Sequence, residues 1–515
     1  MTSRLDPVEL SLFASRVDSV CGEMGVQLAR SAFSPNIRDR LDFSCALFDA
    51  RGALCAQAAH IPVHLGSMAY AMRGIVAGIR WSPGDMVMLN DPFLGGTHLP
   101  DVTVVAPLFV EDRLVAFVAN RAHHADIGGE SPGSMPLSRS LHEEGILIPP
   151  GHVMRGGVVN RERLAEITGA TRNARDAQGD FAAQIGANRR GLQRLAALVE
   201  SMGEEAWRTA VDQLNDYGAR LAWDALGAIP GGRFEFEDFM DDDGLGHEDI
   251  PIRVAVERRD DHVHVDFTGT AAQVAGNINC PLSVTAAGVL YAMRCLMPAR
   301  TPACAGTFRP VRMTVPEGSL LNALRPAAVA AGNVETSTRV VDVVLGALAD
   351  ALPGRIPAAS HGSMNNVAMG AAGAHPWGYY ETLGGGMGAG RHGGGLSAVQ
   401  THMTNTRNTP IEVLESRYPI HVREYSVRRG SGGAGLRSGG DGLVRSYRFL
   451  APARFTLLTE RRRRAPWGLH GGASGAPGIN RLNDGILPPK VSMDVRPGDV
   501  LTVETPGGGG CGAAS

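Results

Sequence analysis

The chain has 515 residues, of which 44% are hydrophobic and 20% charged, and its formal net charge at pH 7 is -3. This length suits two or three domains, and the small net charge gives no indication of a nucleic-acid partner. We find no long apolar run and no apolar core of a signal peptide at the N-terminus. We therefore predict a cytoplasmic protein that does not enter a membrane.

The cationic residues are almost all arginines, because Lys490 is the only lysine among 49 Lys and Arg residues. A P-loop nucleotidase needs a lysine directly after a glycine-rich loop, and Lys490 lies in the unrelated context LPPKVS. The 7 cysteines include no C-x-x-C pair, which argues against a zinc ribbon. We therefore do not expect this chain to bind ATP as a P-loop enzyme does.

The N-terminal part, residues 1–158, alternates helical and β-like patterns. Apolar residues at three- and four-residue steps predict a long first helix that ends at about Ala32. β-like runs and one further helical pattern follow, separated by turn-forming sequences such as DARG. The β-like runs cover 43–50, 54–67, 85–90, 101–110 and 113–120, and the helical pattern covers 68–79.

The pattern changes to helical over residues 159–230, where a proline-free stretch predicts two or three helices. Residues 231–515 return to β-like runs, with helices predicted at 283–297 and 335–352 and with glycine-rich loops between them. The terminal PGGGGCGAAS is expected to be mobile. The predicted fold is α+β and multidomain, with β-rich N- and C-terminal parts around a central helical segment.

Two polar stretches, GGTHLPD and AHHAD, flank the strands predicted at 101–110 and 113–120. If these strands form a hairpin, the turn length decides which residue faces Asp101, and facing residues lie about 4.5–5.5 Å apart. A two-residue turn places Ala122 there, whereas longer or shifted turns place His123 or His124 there. In every register the two polar stretches emerge at the same end of the hairpin.

Imidazole and carboxylate groups gathered at one point suit a divalent metal such as Zn, Mn or Fe. The predicted ligands are His98, Asp101 and either His123 or His124, with Asp126 as a further ligand or as a residue that orients one. The flanking glycines would let the backbone bend and a substrate approach closely. The alternative is that these histidines are simply hydrated or hydrogen-bonded at the hairpin end.

A second polar group precedes this hairpin. NIRDRLDFS contains Asp39 and Asp42, and HIPVH contains His60 and His64. A carboxylate beside a metal can act as a general base, so both aspartates are candidates for that role. Each histidine, taken alone, is more typical of a structural side chain.

Several longer strings resemble the hydantoinase B/oxoprolinase family. They include NDPFLGGTHLPDVTVVAPLF, RAHHADIGGESPGSMP, AAGNVETSTRVVD and HMTNTRNTPIEVLESRYPI. The resemblance extends from about residue 6 to about residue 505. It implies a B-type subunit of an ATP-dependent enzyme such as an N-methylhydantoinase or a 5-oxoprolinase, and it extends to subunits of acetone and acetophenone carboxylases.

The resemblance also implies partners and a site. ATP and Mg would be bound by a hydantoinase A-type ATPase subunit within a hetero-oligomer, and that subunit would phosphorylate a small cyclic amide. The family's H-x-x-D motif and its later histidine fall on His98, Asp101 and His123 as metal ligands. Asp42 is then the expected general base, with Asp126 as the second choice.

Two other functions remain open from the sequence. The same site could serve an ATP-dependent ketone carboxylase that acts on a phosphorylated enol. Alternatively, the chain could be a non-catalytic scaffold that completes the partner's active site and binds no metal.

Overall fold

The computed structural model describes residues 4–58, 60–373 and 376–514, without the side chain of Leu65. The helices are α1 (Pro7–Ser31), α2 (Pro35–Arg38), α3 (Pro62–Ala77), α4 (Arg161–Gly169), α5 (Ala174–Met202), α6 (Glu204–Leu226), α7 (Leu282–Cys295), α8 (Ser337–Ala349) and α9 (Ile411–Arg417). The strands of the first half are β1 (Phe43–Asp49), β2 (Leu54–Gln57), β3 (Met86–Leu89), β4 (Asp101–Val110), β5 (Arg113–His123), β6 (Gly151–Arg155) and β7 (Val158–Val159). Those of the second half are β8 (Arg233–Asp242), β9 (Glu248–Arg258), β10 (Val263–Asp266), β11 (Val311–Thr314), β12 (Asn366–Ala371), β13 (Trp377–Glu381), β14 (Ile420–Arg428), β15 (Gly442–Phe449), β16 (Ala453–Leu458), β17 (Ile479–Leu482), β18 (Gly485–Leu487), β19 (Lys490–Val495) and β20 (Val500–Glu504).

The first seven strands form one sheet in the order β2-β1-β5-β4-β3-β6-β7. Helices cover both faces of this sheet. Along β1, Cys45 and Leu47 pack into the cluster that contains α1 and α5, whereas Ala46 and Phe48 pack into the cluster that contains α3. Covering on both faces explains why β1 is a continuous apolar run rather than an alternating one.

The central helices share their hydrophobic core with the N-terminal sheet. Leu195 and Val199 of α5 belong to the same buried cluster as Val17 of α1. At the other end, Leu226 of α6 belongs to the cluster that contains Val340 of α8. The predicted boundaries near residues 158 and 230 therefore coincide with changes of secondary structure. The hydrophobic core continues across both of them.

The β-like run predicted over 54–67 is wrong in its second half. Strand β2 ends at Gln57 and α3 begins at Pro62, while position 59 lies outside the described residues. Proline is favoured in the first turn of a helix because its fixed φ fits and its missing N–H is not needed there. The α3 helix then packs against α7, where Gly66 meets Ala287.

The second half of the chain contains three more sheets, with the strand orders β11-β10-β9-β8, β13-β12-β16-β19 and β14-β15-β20-β17-β18. The α+β, multidomain prediction is thereby confirmed. The prediction of a mobile tail is wrong for residues 506–511, which are buried, while Ser515 lies outside the described residues. Gly508 donates its N–H to the carbonyl of Gly440, and a Cβ on Gly508 would overlap the backbone of Met387. The glycine tract is thus a close backbone packing, which only residues without side chains permit.

Candidate metal centre

The hairpin of β4 and β5 sets Asp101 directly opposite His123. The turn spans only residues 111–112, both with positive φ, as a two-residue hairpin turn requires. A two-residue turn alone would place Ala122 opposite Asp101, but the register shifts between Leu108 and Phe109. This β-bulge moves the strand by one residue, so the observed register combines the short turn with the pairing predicted for a longer one.

Three side-chain atoms converge at this end of the hairpin. His98 Nε2 lies 3.3 Å from Asp101 Oδ1, His123 Nδ1 lies 3.2 Å from the same oxygen, and the two nitrogens are 3.2 Å apart. All three side chains are buried, and among the described residues they are the group of His, Cys, Asp and Glu side chains arranged to hold an ion. Ligands about 2.0–2.1 Å from one tetrahedral zinc are separated by about 3.3 Å. The donor set and its spacing therefore fit a divalent metal.

The groups around the cluster contact the atoms of His98 and Asp101 that point away from its centre. His98 Nδ1 lies 3.2 Å from the carbonyl oxygen of Ala330 and donates its proton to it, so Nε2 is the nitrogen that faces the cluster. Asp101 Oδ2 accepts a hydrogen bond from Thr97 and lies 3.2 Å from His64 Nε2. Among the described residues, Asp101 Oδ1 has no hydrogen-bond donor of its own. A buried acceptor of this kind is costly unless a cation or donor satisfies it.

The charge state of the cluster favours cation binding. Burial alone would raise the pKa of Asp101, but the imidazoles of His64 and His98 outweigh it and hold that pKa well below its usual range. Burial lowers the pKa of His123 and keeps its ring neutral. Burial would lower the pKa of His98, but the carboxylate of Asp101 outweighs it and raises that pKa, so a cation bound there would release a proton from His98.

His124 points to the other face of the sheet, as the alternation along a strand requires. Its Nε2 lies 3.0 Å from Gln184 Oε1, and its ring stacks on Phe181 of α5 at 4.3 Å. The structure therefore brings His123, and not His124, into the cluster.

Asp42 directly precedes β1 and lies at the same end of the strands as the cluster. Its backbone carbonyl accepts the N–H of His123, and its buried side chain lies 3.8 Å from Arg40 Nη2. Asp39 turns away and pairs with Arg38 at 2.9 Å. Of the two aspartates, Asp42 thus keeps its place as the candidate base.

Asp126, the second choice for that role, is occupied by other groups. Its carboxylate accepts hydrogen bonds from Ser134 Oγ at 3.0 Å and from the guanidinium of Arg172 at 2.6 Å. It also accepts from the backbone N–H groups of Arg172 and Gly128. These bonds fix the loop that follows β5 and leave Asp126 outside the cluster of three, so it is not proposed as a base or ligand.

Distant segments complete the site, and the sequence-based prediction did not identify them as part of it. The ring of Tyr380 stacks on His123 at 4.7 Å, and its hydroxyl donates to Asn366 Oδ1 at 2.7 Å. Asn333 Nδ2 lies 3.4 Å from Asp101 Oδ2. Asn333 belongs to a single π-helical turn, Gly332–Thr336, directly before α8. Such turns often occur at functional sites, but the only signal in the sequence was the family-like string AAGNVETSTRVVD.

The same π-helical turn carries a buried carboxyl group. Glu335 Oε1 accepts from Asn366 Nδ2 at 2.6 Å, whereas Glu335 Oε2 has no hydrogen-bond partner in the part of the chain that the structure describes. Burial, together with the charge of Glu460, raises the pKa of Glu335 from 4.5 to about 7. The folded chain therefore keeps a proton on Glu335 at pH values at which the unfolded chain has released it.

We expect Glu335→Gln to flatten the dependence of stability on pH. Between pH 4.5 and pH 7 the folded state binds one proton more than the unfolded state. The free energy of unfolding of the wild type therefore falls as pH rises through this window. The variant should unfold at a higher temperature than wild type at pH 8, while the two differ less at pH 5. Thermal unfolding at both pH values measures this. Glu412→Gln, at an exposed position of α9, is the control, and an equal wild-type–variant difference at both pH values would contradict the expectation.

The fold and the cluster together define a multidomain α+β chain with a buried imidazole and carboxylate site at the ends of two central strands of the first sheet. Within the part of the chain that the structure describes, no helix is long and apolar enough to cross a membrane. The chain belongs to the hydantoinase B/oxoprolinase family, whose sequence model matches residues 6–514. The resemblance drawn from the sequence is thereby confirmed.

Relatives of this chain carry enzyme names. 5-Oxoprolinase 1 of Arabidopsis thaliana is 40% identical over 545 residues, which cover 99% of this chain and 42% of that protein. The putative B-type subunit of a D-/L-hydantoinase of Pseudomonas sp. (strain NS671) is 32% identical over 541 residues, which cover 99% of this chain and 90% of that protein. The crystal structure of ATP-dependent caprolactamase from Pseudomonas jessenii matches with a TM-score of 0.93 at 27% identity, over 99% of this chain and 92% of that one. The chain thus spans about two fifths of the plant relative but nearly all of the other two.

Proposed function

We propose that this chain is the B-type subunit of an ATP-dependent cyclic amide hydrolase of the 5-oxoprolinase or hydantoinase kind. The observation that carries the proposal is the buried triangle of His98, Asp101 and His123 in a chain whose relatives bear the names of lactam- and hydantoin-opening enzymes. A lactam or imide ring has a carbonyl carbon that must be attacked by water. A site of this composition suits that reaction.

The comparisons of length support a partner subunit. The same sequence unit occurs as about two fifths of 5-oxoprolinase 1 and as nearly the whole of the Pseudomonas protein, which is named as one of the subunits of a hydantoinase. We propose that an A-type subunit supplies the remaining part, binds ATP with Mg, and transfers phosphate to the amide oxygen. The lack of a P-loop motif in this chain agrees with that division of labour.

His98, Asp101 and His123 would hold the divalent ion, which we propose to be Zn, Mn or Fe. When bound, such an ion supplies Lewis acidity that polarises an oxygen atom and acidifies water. The residues around it do the positioning. Asp101 is oriented by Thr97 and His64 through its outer oxygen, and the ring of Tyr380 holds the plane of His123.

Asp42 is the proposed general base. It takes a proton from a water molecule while that water attacks the carbon that bears the phosphorylated oxygen. The attack converts this carbon into a tetrahedral species. Cleavage of the bond from this carbon to the ring nitrogen then opens the ring, and the nitrogen leaves with a proton. The acyl phosphate that remains is hydrolysed by a second water to a carboxylate and phosphate. Arg40 Nη2 lies 3.8 Å from the Asp42 carboxylate and would help to hold it in place.

Substitution of the two adjacent histidines tests the site in the complex with the A-type subunit. We expect His123→Ala to lose bound metal and to lower ATP-dependent ring opening by roughly a hundredfold or more, because it removes one of three ligands. His124→Ala is the matched control and should keep its metal, since its ring faces α5. Elemental analysis and ring-opening assays measure both effects. Equal metal content in the two variants would contradict the assignment.

The same complex discriminates the proposed hydrolase from a carboxylase. ATP turnover should be stimulated by 5-oxoproline, a hydantoin or another lactam, and should not require bicarbonate. Turnover that depends on a ketone and bicarbonate, with a carboxylated product, would overturn the hydrolase proposal. Purification without any bound metal would instead favour a scaffold role.

A further inference from the structure

A buried carboxyl group joins the two halves of the chain beside the candidate metal cluster. Glu144 lies in the segment between β5 and β6 and is fully buried. Its Oε1 atom accepts hydrogen bonds from the backbone N–H groups of Val329 at 2.8 Å and Ala330 at 2.9 Å. Ser138 Oγ donates to the same oxygen at 2.7 Å. A single carboxylate oxygen of the N-terminal part thus holds a backbone segment of the C-terminal part.

The segment that Glu144 holds makes two contacts with the cluster. The carbonyl of Ala330 accepts the Nδ1 proton of His98 at 3.2 Å. Three residues later, Asn333 Nδ2 lies 3.4 Å from Asp101 Oδ2. Ala330 is therefore bonded on both sides, through its N–H to Glu144 and through its carbonyl to His98. A shift of this segment would change the orientation of both proposed ligands, because each contact is made by the atom that points away from the cluster's centre.

The carboxylate lies at the start of a helical stretch. The two N–H groups that Glu144 accepts come shortly before the π-helical turn Gly332–Thr336, and the first N–H groups of a helix have no acceptor within it. The next two, of Ala331 and Gly332, are donated to the carbonyl of Asn277. Loss of the Glu144 carboxylate would therefore release two of four successive N–H groups, while the segment stays attached through the other two.

We infer that Glu144 is a positioning residue for the proposed metal site. It fixes the segment that orients His98 and Asp101, and it lies outside the cluster itself. Groups that orient metal ligands typically contribute roughly 10–100-fold to metal affinity or activity. The inference rests on the proposed function and deepens it, because it names a residue that acts on the metal through two of its ligands.

The test measures metal affinity and needs neither ATP nor the A-type subunit. The full chain is freed of metal, and Zn²⁺ is titrated in competition with a coloured chelator; the absorption spectrum of bound Co²⁺ reports the ligand geometry. We expect Glu144→Ala to weaken Zn²⁺ binding roughly 10–100-fold and to change the Co²⁺ spectrum. Glu144→Gln keeps an amide oxygen that can accept both backbone bonds, so its affinity and spectrum should stay close to those of the wild type.

Asp180→Ala is the matched control. Asp180 of α5 is also buried, and its Oδ1 accepts the backbone N–H groups of Phe33 at 2.7 Å and Ser34 at 3.0 Å, which follow α1. Its loss should destabilise the fold in the same way as Glu144→Ala but leave the Zn²⁺ affinity unchanged. Glu144→Asp keeps the charge on a side chain one methylene shorter; it should also weaken Zn²⁺ binding and serves if the alanine variant does not fold.

Three results would overturn the inference while the proposed function holds. They are wild-type Zn²⁺ affinity in a folded Glu144→Ala or Glu144→Asp variant, an equal loss of affinity in Asp180→Ala, and equal losses in Glu144→Gln and Glu144→Ala. If the wild type itself binds no Zn²⁺, the proposed metal site fails and this inference fails with it.

Discussion

Asp101→Asn is expected to abolish stoichiometric metal binding and to lower kcat/KM for ATP-dependent ring opening by roughly a thousandfold. The substitution keeps the size of the side chain but removes the negative charge that the clustered imidazoles face. Asp101 Oδ1 is the atom that lies 3.3 Å from His98 Nε2 and 3.2 Å from His123 Nδ1. An amide group there offers either a weaker neutral oxygen or an N–H that repels a cation. Metal content of the purified variant and steady-state kinetics of the complex measure the two effects.

Thr97→Val is the graded control for this prediction. Thr97 donates to Asp101 Oδ2 and does not belong to the cluster of three, so its loss should disturb the orientation of the carboxylate without removing it. Loss of such an orienting partner typically costs 10–100-fold in metal affinity or activity. The proposed metal role would be untenable if Asp101→Asn kept both a full complement of metal and near-normal turnover.

The hairpin shows how far the sequence leads toward this site. Its two strands and short turn follow from local patterns, and they are enough to place Asp101 near the residues 122–124. The bulge between Leu108 and Phe109 that selects His123 has no local signal. It depends on how the whole sheet packs, because a one-residue shift exchanges the faces of every later side chain.

The contributions of distant segments were less predictable still. His64 was expected to be structural, yet its Nε2 lies 3.2 Å from Asp101 Oδ2. Tyr380 and Asn333 reach the cluster from more than 200 residues away along the chain. No periodicity or spacing rule connects positions that far apart. Only the packing of the second half of the molecule against the end of the first sheet brings them together.

The glycine-rich C-terminus illustrates a different limit. The composition of PGGGGCGAAS is typical of a flexible tail when it is considered alone. In the structure the glycines are buried because several other glycine-rich segments offer backbones at the same place, as Gly440 does for Gly508. A local pattern cannot reveal that two glycine tracts are complementary to each other.

The second large effect is expected at Lys490, the chain's only lysine. Lys490→Met should destabilise the protein by about 3–5 kcal/mol, because it removes the buried cation that Glu460 shares with Arg339, 3.4 Å away, and the cation that is paired with Asp242 among the described residues. Lys490 Nζ lies 2.5 Å from Glu460 Oε1 and 3.6 Å from Asp242 Oδ1, and the side chains of Lys490 and Glu460 are fully buried. Burial would lower the pKa of Lys490, but these carboxylates outweigh it and raise that pKa, so the lysine is charged. Denaturant-induced unfolding measures the loss.

Two further variants decide whether the pair itself is responsible. Lys490→Met combined with Glu460→Gln removes both charges and should recover a large part of the lost stability, since replacing a buried pair is far less costly than breaking one. Arg454→Met is the matched control, because Arg454 and Asp494 form an exposed ion pair between the same two strands, β16 and β19, at 2.8 Å. Exposed pairs contribute little, so that variant should unfold like wild type.

The ion-pair network of Lys490, Glu460 and Asp242 joins the end of β8 to the sheet of β16 and β19. If Lys490→Met loses stability and Arg454→Met does not, a buried charge is a main connection between these two sheets of the C-terminal half. Equal effects of Lys490→Met and Arg454→Met would show instead that these sheets are held together by their apolar contacts.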